Sequence, residues 1–204
     1  ALPISTGGAS SLTINIGSFS NSTISGRITG GVSINQSYFA GGAGSVTLNN
    51  DTNNFTGTVS VGGAGSTKFY FTSIADFGTA SALGMGTAGT AISVNNGYLV
   101  YTGAANSSSN RTWSSVNAIT IENNSATGVL TLSGNLSHST SNGTLTLRGS
   151  NTGANRFAGS ISAAASGAGS LLDLTKAGAG TWILSGRSEE HTSELQSPCN
   201  LVCR

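Results

Sequence analysis

Charge is scarce in this chain. Lys, Arg, Asp and Glu make up 7% of its 204 residues, against roughly 25% in ordinary globular domains. The formal net charge of +1 supplies no electrostatic footprint for nucleic acid or an anionic membrane surface. The six cations before position 187 (Arg27, Lys68, Arg111, Arg148, Arg156, Lys176) stand singly. No apolar run approaches the roughly 18 residues of a membrane-spanning helix, so direct bilayer insertion of this segment is not expected. A signal peptide is missing too: the chain opens Ala1-Leu2-Pro3-Ile4, and its first residue reads as internal to a longer protein. Cysteine is absent through Gly186. That alone says nothing of redox compartment, but large cysteine-free β proteins rich in Gly, Asn, Ser and Thr are typical of chains exported unfolded.

What is present is monotonous. Glycine contributes 30 residues, about twice the usual share, and Ser, Thr and Asn fill most of the rest. Disordered chains are usually charged and poor in β-branched residues; here Thr, Val, Ile and Leu recur in short alternating runs. Period-2 alternation marks half-buried strands at Leu12–Ile16, Val46–Leu48, Thr58–Val61, Ala91–Val94, Tyr98–Tyr101, Ile119–Ile121, Val129–Leu132, Thr144–Leu147 and Trp182–Leu184. Between them lie Gly-, Asn- and Ser-rich turns. Sustained helical periodicity is missing, and the best place for a single helical turn is Ser73 to Leu83.

The runs also repeat. Val46-Thr47-Leu48, an Asn-rich turn and Phe55-Thr56-Gly57 are echoed by Leu145-Thr146-Leu147, a second such turn and Phe157-Ala158-Gly159. Leu130-Thr131-Leu132-Ser133-Gly134 and Ile183-Leu184-Ser185-Gly186 repeat parts of the template. Strand units return every 20–25 residues or so, a solenoid spacing. The expected fold is all-β: a right-handed parallel β-helix, or β-solenoid, of roughly eight coils over residues 1–186. Val, Ile and Leu should point inward and the Asn-rich turns should be exposed. Scarce charge fits, because like charges on successive coils would repel.

The composition breaks after Gly186. Residues 187–204, Arg187 to Arg204, are charged, lack Gly and hold both cysteines, Cys199 and Cys203. The segment resembles the in-frame translation of a sequencing-library adapter: AGA TCG GAA GAG CAC encodes Arg187 to His191, and the adapter continues into Thr192 to Ser197. It is expected to be an extraneous C-terminal tail, disordered or docked without specificity. Glu189, Glu190, His191, Glu194, Cys199 and Cys203 offer metal-ligating groups, but an accidental peptide carries no selected site.

Leu174-Thr175-Lys176-Ala177-Gly178-Ala179-Gly180-Thr181-Trp182-Ile183-Leu184-Ser185-Gly186 resembles the signature of the autotransporter-associated β-strand repeat. Leu145 to Gly159, Ser81 to Gly84 and Asn95 to Gly103 are also similar to such passengers, and the likeness covers residues 45–186 better than 1–44. It implies an adhesin-like passenger segment of a bacterial secreted or surface-anchored protein, exported through the outer membrane by a C-terminal barrel and serving as an extended scaffold. A surface glycan or neighbouring passenger chains are the partner classes it implies.

Two other readings stand beside it: a glycan- or host-surface-binding module, and a β-helix polysaccharide lyase or hydrolase. Glycoside cleavage needs two carboxylates in register. Asp51, Asp76, Glu122 and Asp173 are the carboxylates before the tail, and Asp51 and Asp76 lie about one coil apart. His138 sits in Leu136-Ser137-His138-Ser139-Thr140, read as a solvated polar turn. Gly41-Gly42-Ala43-Gly44 and Gly62-Gly63-Ala64-Gly65 lack the Lys-Ser/Thr pair of a phosphate loop and read as turns. The sequons at Asn21, Asn54, Asn110, Asn135 and Asn142 follow from composition. Tyr38, Phe39, Phe69, Tyr70, Phe71, Tyr98, Tyr101 and Trp113 would form a carbohydrate platform only where they face outward, which alternation forbids for all at once. No catalytic, cofactor-binding or metal-binding residue is assigned, no cofactor is expected, and the chain is not expected to be an enzyme.

Overall fold

A computed structural model of the chain describes residues 3–6, 12–17, 21–37, 44–62, 67–139, 142–163, 171–186 and 201–203. Among these, strands stack on three faces of a β-solenoid and no helix occurs. The first face stacks Leu12–Gly17, Val32–Ser37, Val59–Gly62, Ile92–Asn95, Trp113–Ser115, Leu136–His138 and Ile161–Ala163, all in parallel. The second stacks Ser22–Ile24, Ser45–Leu48, Lys68–Phe71, Gly97–Tyr101, Ala118–Asn123, Asn142–Gly149 and Leu171–Lys176. The third carries Ser107–Ser109, Leu130–Leu132, Asn155–Phe157 and Trp182–Leu184, and Leu201–Cys203 pairs antiparallel against the last of these.

Stacking partners lie near the expected period: 20 residues separate Asn15 from Asn35 and 23 separate Ser115 from His138. Seven strands on each long face make about six turns rather than the roughly eight expected. Part of the shortfall arises at residues 72–91, which lengthen one coil. There the register stretches to Ser60 on Ser93 and Lys68 on Tyr98.

That long segment supplies two layers to the third face instead of one. Along 73–77 it meets the following coil: Ile74 N donates to Ser107 Oγ (3.2 Å) and Phe77 N to Asn110 Oδ1 (3.1 Å). Along 81–86 it meets the preceding coil, where Ser81 N donates to Asn53 O and Met85 N to Phe55 O. The helical turn expected at Ser73 to Leu83 is therefore absent. Its backbone N–H groups are taken by neighbouring coils, as where Ser81 N donates to Asn53 O, and by turns within the segment, as where Ala82 N donates to Ser73 Oγ, leaving no ladder of i−4 bonds to nucleate a helix.

The core is a set of columns running through the coils. Ile34, Val59, Ile92, Trp113 and Leu136 form one, and Val46, Phe69, Leu99, Ile121 and Leu147 another. All are at most 2% exposed, and burying side chains of this size contributes roughly 1.5–3 kcal/mol each. The apolar residues of these columns point inward as expected, whereas Val100 and Ile183 fall on outward columns, stacked on Glu122 and Arg156.

The asparagines depart from expectation. Asn53, Asn123, Asn151 and Asn155 are buried rather than exposed. Asn53 Oδ1 accepts from Ile28 N at 2.8 Å and its Nδ2 donates to Ala82 O at 3.0 Å. Asn151 Nδ2 donates to Ser125 O. An amide that donates and accepts can satisfy backbone groups on the coils above and below at once, which the corner of a solenoid requires and an apolar residue cannot provide.

Candidate functional site

The outer face of the second sheet gathers two outward tyrosines and two of the chain's scarce cations. Alternation directs Phe69, Phe71, Leu99 and Tyr101 inward, which leaves Lys68, Tyr70 and Tyr98 on the other side, each half-buried. Register stacks Tyr98 on Lys68, Tyr70 on Val100, and Glu122 between Val100 and Arg148. Lys68 Nζ lies 5.9 Å from the centre of the Tyr98 ring and the Arg148 guanidinium carbon 6.0 Å from it, both at cation–π range.

Arg148 starts two rungs from Tyr98 and reaches across the intervening strand to get there. Its Nε lies 3.6 Å from Glu122 Oε2, and the Glu122 side chain is 5% exposed against 39% for Arg148. This crossing takes Glu122 and Thr120 out of solvent although alternation points them outward. Asn124 Nδ2 donates to the other Glu122 oxygen at 2.6 Å. Glu122 is thus held by Arg148 and Asn124, whereas Lys68 has no carboxylate partner among the described residues. The exposed side of the cluster is positive.

Sequence reasoning passed over this cluster, although the signal was there. Ile119-Thr120-Ile121-Glu122 and Leu145-Thr146-Leu147-Arg148 are the same strand one coil apart, so their last residues, of opposite charge, had to meet.

The other candidates separate. Asp51 accepts from Thr72 Oγ1 and Ser73 Oγ, both at 2.6 Å, while Asp76 accepts from Asn110 N at 2.8 Å. Each carboxylate is engaged by its own hydrogen-bond partners, Asp51 by the 72–73 turn and Asp76 by the coil that follows. Asp173 is exposed on the last strand of the second face. His138 is not in a solvated turn. It ends a strand on the first face, 1% exposed, with Nδ1 2.8 Å from Ser115 Oγ. The short Leu136–His138 strand continues an inward column through Val61, Val94 and Ser115, and that stacking buries the ring. A Cβ on Gly143 would run into the same imidazole. The Ser–His pair is sealed in the core, beyond the reach of a substrate.

Arg111 is the other buried surprise. It is 0% exposed, donates from Nη1 to Leu83 O at 2.6 Å, and has Nε and Nη2 without a hydrogen-bond partner. Burial pulls its pKa down to about 10, which leaves it charged at neutral pH. Gly86, at φ +62, packs against the guanidinium, so Arg111 ties the double-layered 72–91 segment to the next coil. Burial of the Tyr101 phenol raises its pKa, and its hydroxyl donates to Ala105 O.

Tyr38, Phe39, the strings at 41–43 and 63–65, and Glu189, Glu190, His191, Glu194 and Cys199 lie outside the described residues. Among the described residues no group of three His, Cys, Asp or Glu could hold a metal ion, and no helix is long and apolar enough to cross a membrane. Comparison with protein-family models, with curated proteins and with solved structures finds no match.

Proposed function

We propose that residues 1–186 serve as an extended scaffold: an adhesin-like passenger segment of a bacterial protein secreted to, or anchored at, the cell surface. The observation that carries this reading is the outward column of the first face. Asn15, Asn35, Ser60, Ser93, Ser114, Ser137 and Ser162 stack in register, one per rung. Asn35 Nδ2 donates to Asn15 Oδ1 at 2.9 Å. A face of short uncharged side chains lets coils repeat without like-charge repulsion, and it offers no group to activate water or stabilise a developing charge. The glycan-binding alternative draws support from the outward Tyr98 cluster. Nothing comparable favours an enzyme, since Asp51 and Asp76 are each engaged by hydrogen-bond partners of their own.

The scaffold reading expects no hydrolase or lyase activity. Incubating the chain with acidic and neutral polysaccharides should give neither new reducing ends nor unsaturated products. Turnover abolished by Asp51→Asn or Asp76→Asn would overturn the proposal.

A further inference from the structure

We infer that the outer face of the second sheet, at Lys68, Tyr98 and Arg148, binds an acidic polysaccharide. The inference goes beyond the scaffold role and does not depend on it. Three observations carry it.

First, the site concentrates charge in a chain that has little. Two of the six cations before residue 187 flank one outward tyrosine, each about 6 Å from its ring centre. The Glu122 carboxylate is nearly buried and already occupied by Arg148 and Asn124, so it does not cancel Lys68. The remaining acidic group on this face, Asp173, stands on the last strand, stacked below Thr144 rather than below Tyr98.

Second, the spacing suits a polymer. Lys68 stands one strand before Tyr98 and Arg148 two strands after it, each about 6 Å from the ring centre. Cations on strands to either side of one ring suit a chain with an anion on successive sugars, which can meet each in turn.

Third, the same outward column continues with neutral hydroxyls. Ser45, Thr146 and Thr175 stack in register with Lys68 and Tyr98 and stay partly or fully exposed, while Thr120 between them is covered by Arg148. Hydroxyl donors and acceptors beside an aromatic and a cation fit a sugar ring bearing a carboxylate. A phosphate backbone would call for a longer row of cations than a chain of net charge +1 provides.

The test titrates the full chain with polygalacturonate, with its methyl-esterified form, and with single-stranded DNA, at low and at physiological salt. Binding should be seen for polygalacturonate, should weaken at least tenfold on methyl esterification, and should fall with salt. Lys68→Gln should weaken it about tenfold and Lys68→Arg should restore most of it, with unchanged circular dichroism in both. Tyr98→Ser should weaken it as well. Equal affinity for the esterified polymer or for DNA, no effect of Lys68→Gln, or no binding to polygalacturonate at all would each overturn the inference. None of these outcomes bears on whether the coils stack as a scaffold, which is read separately from the fold.

Discussion

Gly159→Ala should be among the most damaging single-methyl changes in this protein. The third face places one glycine per coil in a column that runs Gly134, Gly159, Gly186, with Arg111 at its head. A Cβ on Gly159 would lie inside contact distance of the Gly134 carbonyl oxygen, just as one on Gly134 would meet the Arg111 carbonyl. Backbone cannot swing aside as a flexible side chain can, so the rung must shift. The shift would strain Ala158 N to Leu132 O and Leu136 N to Ser160 O, bonds of 2.6 and 2.8 Å that hold adjacent coils. A cost of about 3 kcal/mol or more is expected, or on the order of 6–12 °C in Tm for a chain of this size. Gly78→Ala is the matched control. Gly78 has φ +83 with nothing within 4 Å of its Cβ position, so it should cost only the left-handed conformation, about 1–2 kcal/mol. Thermal melts of both variants decide the matter: a Gly159→Ala loss no larger than that of Gly78→Ala would contradict the close stacking of coils.

Asn155→Ala should cost a similar amount for a different reason. The Asn155 side chain links several coils at one buried corner. Its Oδ1 accepts from Asn123 Nδ2 at 2.6 Å and from Leu130 N at 3.0 Å, and its Nδ2 reaches Asn151 Oδ1 at 3.0 Å and Thr181 O at 2.9 Å. Truncation strands the Leu130 N–H in the core at about 1–3 kcal/mol and removes one of the two acceptors of Asn123 Nδ2, which keeps only Gly128 O. The expected total is about 3 kcal/mol or more by denaturant melting. Asn49→Ala, at an exposed position in the equivalent turn region, should stay within about 0.5 kcal/mol. If the two variants melt alike, the buried amides do not hold the corners.

These two residues mark where the sequence was readable and where it was not. Alternating runs such as Leu145-Thr146-Leu147 located strands because one face of each is buried. The spacing of those runs gave the parallel stack, since equivalent strands must recur once per coil. Strands with no apolar signature escaped notice. Ser107–Ser109 is three serines, and it is a strand because its backbone pairs with Leu130–Leu132, while its hydroxyls accept from Ile74 N and donate to Ala75 O. His138 and the corner asparagines were read as solvated because polar residues between strands usually are. Their burial depends on hydrogen bonds to coils more than 20 residues away, which local composition does not carry. At the candidate site, Lys68 and Tyr98 could be placed on an outward face by alternation alone. The reach of Arg148 over a neighbouring rung depends on side-chain length and could not be read that way.

The parallel stack itself is tested most directly by distances along the uncharged outer column. Spin labels at Asn35→Cys paired with Ser137→Cys or Ser162→Cys, in a chain carrying Cys199→Ser and Cys203→Ser, sample four and five rungs respectively. At about 4.8 Å per rung, pulsed electron paramagnetic resonance should give separations near 19 and 24 Å, lengthening by about 5 Å from the first pair to the second. Two equal separations, or a shorter one for the more distant rung, would contradict a β-solenoid and with it the scaffold built upon it.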